Sequence, residues 1–196
     1  MAVLSASRRR PWLVPGALVL FAVVFAASGS LLGPADPAAA QQEAEAPARR
    51  GVLDEPVPDV ELPDLDGGTV ALRDLMGKVV VYDFWAVWCG PCEQSLPFFQ
   101  ELQDKYADEG LVVVGLHVDD GRPEPAEVKA WIEERHVRYQ NLFSTIDMEE
   151  AMRIFAMPTT YIADRDGIVR LRHIGFNPSR TPERLEGEVR ELLGLE

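Results

Sequence analysis

Two stretches of the chain are apolar without any alternation, Val79-Val80-Val81-Tyr82 and Leu111-Val112-Val113-Val114-Gly115-Leu116. Such runs predict strands covered on both faces, at the centre of a sheet. Residues 61–70, interrupted by Asp66-Gly67-Gly68, predict a small hairpin that edges this sheet. Helical spacing follows from residue 91 to about 108, and again over 124–135, where Val128, Trp131, Ile132 and Arg135 share one face. A third helical stretch is expected over 148–155. Thr159–Ala163 and Ile168–Ile174 flank Asp164-Arg165-Asp166-Gly167, whose composition predicts an antiparallel hairpin with a tight turn. Residues 182–193 predict a closing helix. Strands that alternate with helices and end in a hairpin define an α/β sandwich with a mixed sheet.

The N-terminal part follows another pattern. Arg8, Arg9 and Arg10 precede an apolar run from Trp12 to about Leu32, which at about 1.5 Å per residue approaches the thickness of a bilayer core. Arginines before such a run stay in the cytoplasm, so everything after it is expected outside. Ala38-Ala39-Ala40 resembles a small-residue cleavage site, while the length of the run suits a retained anchor. Both fates are compatible with the sequence. Pro11 and Trp12 do not give the usual continuation of a twin-arginine signal, and no cysteine near residue 40 offers a site for lipid attachment. From Gly33 to about Pro56 large apolar residues are scarce, too few to offset the entropy of chain ordering. The expected organisation is an export segment at 1–40, a disordered linker at 41–56 and a folded domain at 57–196.

Charge narrows the partners. The 196 residues carry 19 Lys and Arg against 32 Asp and Glu, a net charge of -13, which repels nucleic acid. The two cysteines, Cys89 and Cys92, are too few for a disulfide framework or a four-cysteine zinc site. His117, His136 and His173 fall on different elements without ligand spacing, so no metal or other cofactor is implied.

The chemistry therefore gathers at Trp88-Cys89-Gly90-Pro91-Cys92, just after a buried strand and at the start of a helix. One helical turn brings two cysteines three residues apart within bonding distance, so a reversible disulfide can close. Pro91 suits the first turn, and the free N–H groups there stabilise a Cys89 thiolate. Cys89, earlier and more exposed, is the expected nucleophile, and Cys92 the resolving thiol. Haem attachment is excluded because Glu93, not His, follows Cys92.

Val81-Tyr82-Asp83-Phe84-Trp85-Ala86-Val87-Trp88-Cys89-Gly90-Pro91-Cys92 resembles the active-site strand and turn of thioredoxins. Met157-Pro158-Thr159-Thr160 resembles that family's cis-proline loop, and with Trp88 the resemblance implies substrate contacts at Met157, Pro158 and Thr159. The export segment, the opening hairpin and the helix around Trp131 look like the TlpA/ResA-type extracytoplasmic branch. The implied fold is a thioredoxin-like mixed sheet flanked by helices, with an added N-terminal hairpin and an inserted helix. The implied role is reduction of client disulfides in cytochrome c maturation, copper-site assembly or thiol repair, recharged by a membrane electron donor.

Two positions depart from that branch. Ser95 stands where a glutamate is common, and Asp83 stands where an uncharged residue is common, as in thioredoxin itself. A buried Asp83 is expected to take the Cys92 proton; the bland alternative is a carboxyl hydrogen-bonded at a strand end. Two other functions compete with disulfide reduction. Thiol peroxidases share the fold, but place a hydroxyl residue three positions before the reactive cysteine, where this chain has Ala86. A copper(I) or apoprotein binding module would use the same dithiol as soft ligands.

Overall fold

The computed structural model describes residues 53–118 and 123–195. The export segment, with its arginines and Ala38-Ala39-Ala40, and most of the linker lie outside the described residues. Among the described residues the order is β1 (Glu55–Pro56), β2 (Glu61–Pro63), β3 (Thr69–Ala71), a 3-10 turn (Leu72–Leu75), β4 (Val79–Trp85), α1 (Gly90–Tyr106) and β5 (Leu111–His117). Then come α2 (Pro125–Glu134), β6 (Gln140–Phe143), α3 (Ile146–Ala151), β7 (Thr159–Ala163), β8 (Ile168–Ile174) and α4 (Thr181–Leu193).

The main sheet has the order β1-β8-β7-β4-β5-β6, with β4, β5 and β6 parallel and the remaining neighbours antiparallel. All seven residues of β4 are buried because strands flank it on both sides and apolar layers cover both faces. Val79, Val81 and Trp85 point into the layer shared with α1, α2 and α4, which holds Leu96, Phe99, Val128, Leu185 and both cysteines. Val80, Tyr82 and Phe84 point into the opposite layer, with Leu62, Leu72 and Met148. Each large side chain so buried contributes roughly 1.5–3 kcal/mol.

The mixed α/β sandwich is the expected one, but its edges differ from expectation. The hairpin β2–β3 forms a separate two-stranded sheet, linked to β6 by a single bridge between Asp64 and Leu142. Asp64 Oδ1 accepts the backbone N–H groups of Asp66 and Gly68 at 2.8 and 2.7 Å, which closes the hairpin turn while Leu62 enters the core. Glu55 and Pro56, expected in the linker, pair with Val169 and Ile168 at the sheet edge. The folded domain thus starts before residue 57. Strand β6 was not expected. Helix α3 is shorter than the 148–155 stretch, because Arg153 adopts a left-handed φ of 52° just beyond its cap. Helix α1 ends at Tyr106 rather than 108 and accommodates Pro97 on its exposed side, where the missing N–H interrupts only the bond to Glu93.

Candidate active site

The end of β4 delivers Cys89 to the start of α1, and local chemistry fixes it there. Cys89 caps the helix in an extended conformation, and its sulfur accepts the Cys92 backbone N–H at 3.2 Å. Pro91 lies in the first turn, where no N–H is needed. Cys89 and Cys92 form a disulfide across a Cα–Cα distance of 5.2 Å. Cys89 is 5% exposed and Cys92 fully buried, whereas the preceding Trp88 is 61% exposed. Access to the pair is therefore from the Cys89 side, beside an indole that lies open to a partner.

Asp83 lies on β4 between Val81 and Trp85, so strand alternation turns its carboxyl to the layer that contains Cys92. It is fully buried. Oδ1 accepts the Thr160 hydroxyl at 3.0 Å, and Oδ2 has no hydrogen-bond partner. Burial pushes the carboxyl up to about 8, and the Thr160 hydroxyl pulls it partly back. Only the ionised fraction of this carboxyl, which grows as pH approaches about 8, can accept a proton from a buried thiol in the same layer. Tyr139, buried with its hydroxyl unpartnered, is raised well above the ordinary phenol range by burial and then by the Asp83 charge. Ser95 is buried too, but its hydroxyl donates to the Cys92 carbonyl at 2.8 Å and offers no acid.

The loop before β7 carries the other expected site residues. The Met157-Pro158 bond is cis. Met157 is partly buried against the layer that contains both cysteines. The Pro158 carbonyl accepts the Gly175 N–H at 2.7 Å, and the Thr159 hydroxyl donates to the Ala156 carbonyl at 2.6 Å. Thr159 is therefore turned inward, buried and paired with Phe84 and Ile174 of the flanking strands.

Several supporting residues were not singled out from the sequence. Trp85 donates its indole N–H to Asn141 at 3.1 Å, directly over Gly115, where an added Cβ would stand 2.1 Å from Asn141 Oδ1. Trp131 of α2 stacks on Trp85 with centroids 5.3 Å apart, and the Arg135 guanidinium lies 3.7 Å over Trp131. Arg135 also reaches Glu93, next to Cys92, at 2.9 Å. The inserted helix is thereby bound to the first turn of α1. Only the shared face of Val128, Trp131, Ile132 and Arg135 signalled this in the sequence; Tyr139 and Asn141 gave no signal, and Thr160 stood in the cis-proline motif with nothing to show that it meets Asp83.

A redox disulfide that caps a helix at the end of a central strand, in a mixed sheet of this order, defines a thioredoxin-fold thiol–disulfide oxidoreductase. The chain belongs to the AhpC/TSA family, whose profile matches residues 53–172, and within it is TlpA/ResA-like. It is 33% identical over 118 residues to the thioredoxin-like protein YneN of Bacillus subtilis, covering 60% of this chain and 69% of that protein. It is 29% identical over 141 residues to the thiol-disulfide oxidoreductase ResA of Bacillus cereus, covering 69% and 75% respectively. The crystal structure of a putative thiol:disulfide interchange protein DsbE from Chlorobium tepidum superposes with a TM-score of 0.66 at 34% identity, over 72% of this chain and 97% of that one. Ala86, three residues before Cys89, is fully buried and provides only its carbonyl, to the Cys89 N–H at 3.0 Å.

Proposed function

We propose that the protein is an exported reductant of client disulfides. Cys89 attacks the client, Cys92 resolves the mixed disulfide, and Asp83 takes the Cys92 proton. The observation that carries this is the asymmetry of the pair: Cys89, which caps the helix, keeps 5% exposure beside the open Trp88, and Cys92 is fully enclosed on the sheet face that Asp83 shares. Trp88 and the backbone of the Met157-Pro158-Thr159 loop hold an extended client segment. Its clients are exported disulfide-containing proteins, in cytochrome c maturation, copper-site assembly or thiol repair. A membrane donor recharges the dithiol. The N-terminal segment either anchors the domain or is removed on export; among the described residues no helix is long and apolar enough to cross a membrane.

Trapping tests this reading. Reduced Cys92→Ser protein, which cannot resolve, is expected to accumulate disulfide-linked client adducts in the envelope of the producing cell, and these should be released by dithiothreitol. Copper(I) titration of the reduced protein is the counter-test. Tight stoichiometric copper binding without any client adduct would transfer the role to metal holding.

A further inference from the structure

Glu93 stands in the first turn of α1, one turn along from Cys89, and its N–H donates to the Cys89 carbonyl at 3.1 Å. Side chains four residues apart on a helix share a face and lean towards its N-terminus, with Cβ atoms about 5–6 Å apart. A carboxylate in that place repels a thiolate on Cys89 and favours the protonated, unreactive thiol. It opposes the helix start, where the Cys92 N–H reaches the Cys89 sulfur at 3.2 Å and stabilises negative charge there.

The inserted helix answers this charge. Arg135, the C-cap residue of α2, brings Nε and Nη2 each to 2.9 Å from Glu93 Oε1. Three further contacts fix the guanidinium: it lies 3.7 Å over the Trp131 ring, and Nη1 donates to the Trp131 carbonyl at 3.1 Å and to Glu134 Oε2 at 3.2 Å. Trp131 in turn stacks on Trp85, at the end of the strand that leads to Cys89. An ion pair between partly solvated side chains adds little to stability. Its place matters more than its strength, because a fixed positive charge stands against the carboxylate one turn from the nucleophile. Other ionisable groups on this face of the sheet are Asp83 of β4, His117 of β5 edge-on to Trp85, Tyr139 before β6, and the His173–Glu188 pair between β8 and α4. All of them are buried and stay constant across the variants below.

We propose that Arg135 is a positioning residue that keeps Cys89 reactive: it holds the Glu93 carboxylate in an ion pair and so cancels that carboxylate's repulsion of the Cys89 thiolate. This rests on Cys89 being the attacking thiol. In the attack the Cys89 sulfur bonds to one client sulfur and the other client sulfur leaves as a thiolate, so the negative charge departs from Cys89 and the pair acts on the starting state. Two unit charges about 6 Å apart in water interact strongly enough to move a thiol by about half a pH unit, or about threefold in thiolate fraction. Helix α2 thus tunes the dithiol through its last turn while leaving both sulfurs untouched.

The test uses the reduced full-length protein in mild detergent, alkylated with iodoacetamide across pH, with mass analysis of which cysteine reacts. Arg135→Met is expected to raise the Cys89 midpoint by about half a pH unit and Glu93→Gln to lower it by about as much, with the double variant close to wild type. Arg135→Lys keeps the charge but loses the planar contact with Trp131, so its alkylation midpoint should stay close to wild type while its denaturation midpoint falls with that of Arg135→Met. At about 1 M salt the differences should shrink. In rapid quench with glutathione disulfide below these midpoints, attack by Cys89 is the phase that depends on glutathione disulfide concentration, and release of glutathione by Cys92 is the phase that does not. Attack should be about twofold slower in Arg135→Met, because the more basic thiolate regains part of the loss. Glu93→Gln changes a surface side chain, so it keeps the test open where an Arg135 variant folds poorly. Equal alkylation midpoints in wild type, Arg135→Met and Glu93→Gln overturn the inference and leave Cys89 as the nucleophile. A midpoint raised as far in Arg135→Lys as in Arg135→Met makes the side chain merely structural and overturns it as well. Alkylation of Cys92 ahead of Cys89 overturns the order of attack on which the inference rests.

Discussion

Replacing Asp83 by Asn couples stability and catalysis in opposite directions, and both effects can be worked from the site. The carboxyl has an ordinary value of 3.8 and is pushed by burial up to about 8 in the folded protein. Below pH 3.8 both states hold the proton and nothing is lost. As pH rises from 3.8 towards 8 the unfolded chain releases its proton while the folded chain keeps it, so the fold loses about 1.4 kcal/mol per pH unit, or about 4 kcal/mol by pH 7. Above about 8 the loss levels off. Asn escapes this loss. Its amide oxygen keeps the Thr160 hydrogen bond, but its NH₂ stands where Oδ2 has no partner, at a cost of about 1–3 kcal/mol. Asp83→Asn is therefore expected to be less stable than wild type near pH 4 and more stable by about 1–3 kcal/mol at pH 7, with the two curves crossing between. Urea denaturation of the oxidised proteins across this range measures the crossing, and the same variant should show roughly tenfold slower release of a mixed disulfide. A stability difference that stays flat with pH would refute the buried, proton-holding carboxyl.

Other substitutions probe the surrounding contacts. Gly115→Ala should destabilise by about 2–4 kcal/mol, because the new Cβ collides with Asn141 Oδ1 and breaks the bond from the Trp85 indole; a shift in denaturation midpoint measures it. Arg135→Ala removes the guanidinium over Trp131 and the pair with Glu93, both partly solvated, and should cost about 1 kcal/mol in the same assay. Ser95→Ala removes only a hydroxyl bonded to the Cys92 carbonyl, so glutathione release in rapid quench should stay within about twofold of wild type.

The parts of this molecule that were legible in the sequence are those carried by neighbours along the chain. β4, the turn at Cys89 and the start of α1 follow one another without interruption, and the apolar run, Pro91 and the cysteine spacing each specify one of them. β6 escaped because Gln140 and Asn141 open it with polar residues; Asn141 is polar because it receives the Trp85 indole from two strands away. β1 escaped because its two residues, one a proline, acquire strand form only from pairing with β8. In the site, Asp83 could be named from the resemblance to thioredoxin's strand aspartate, but its partner Thr160 lies 77 residues away and is brought opposite only by register. His173 looked isolated because its partner Glu188 belongs to a helix whose docking the sequence does not show.

The assignment of roles within the dithiol is open to one direct measurement. Insulin disulfide reduction in the presence of dithiothreitol, followed together with mass analysis of the protein, compares wild type, Cys89→Ser and Cys92→Ser. Both variants should lose turnover, and only Cys92→Ser should retain a stoichiometric disulfide-linked insulin chain on its remaining cysteine. Turnover by Cys89→Ser, or an adduct formed on Cys92 while Cys92→Ser forms none, would contradict the proposed order of attack and resolution.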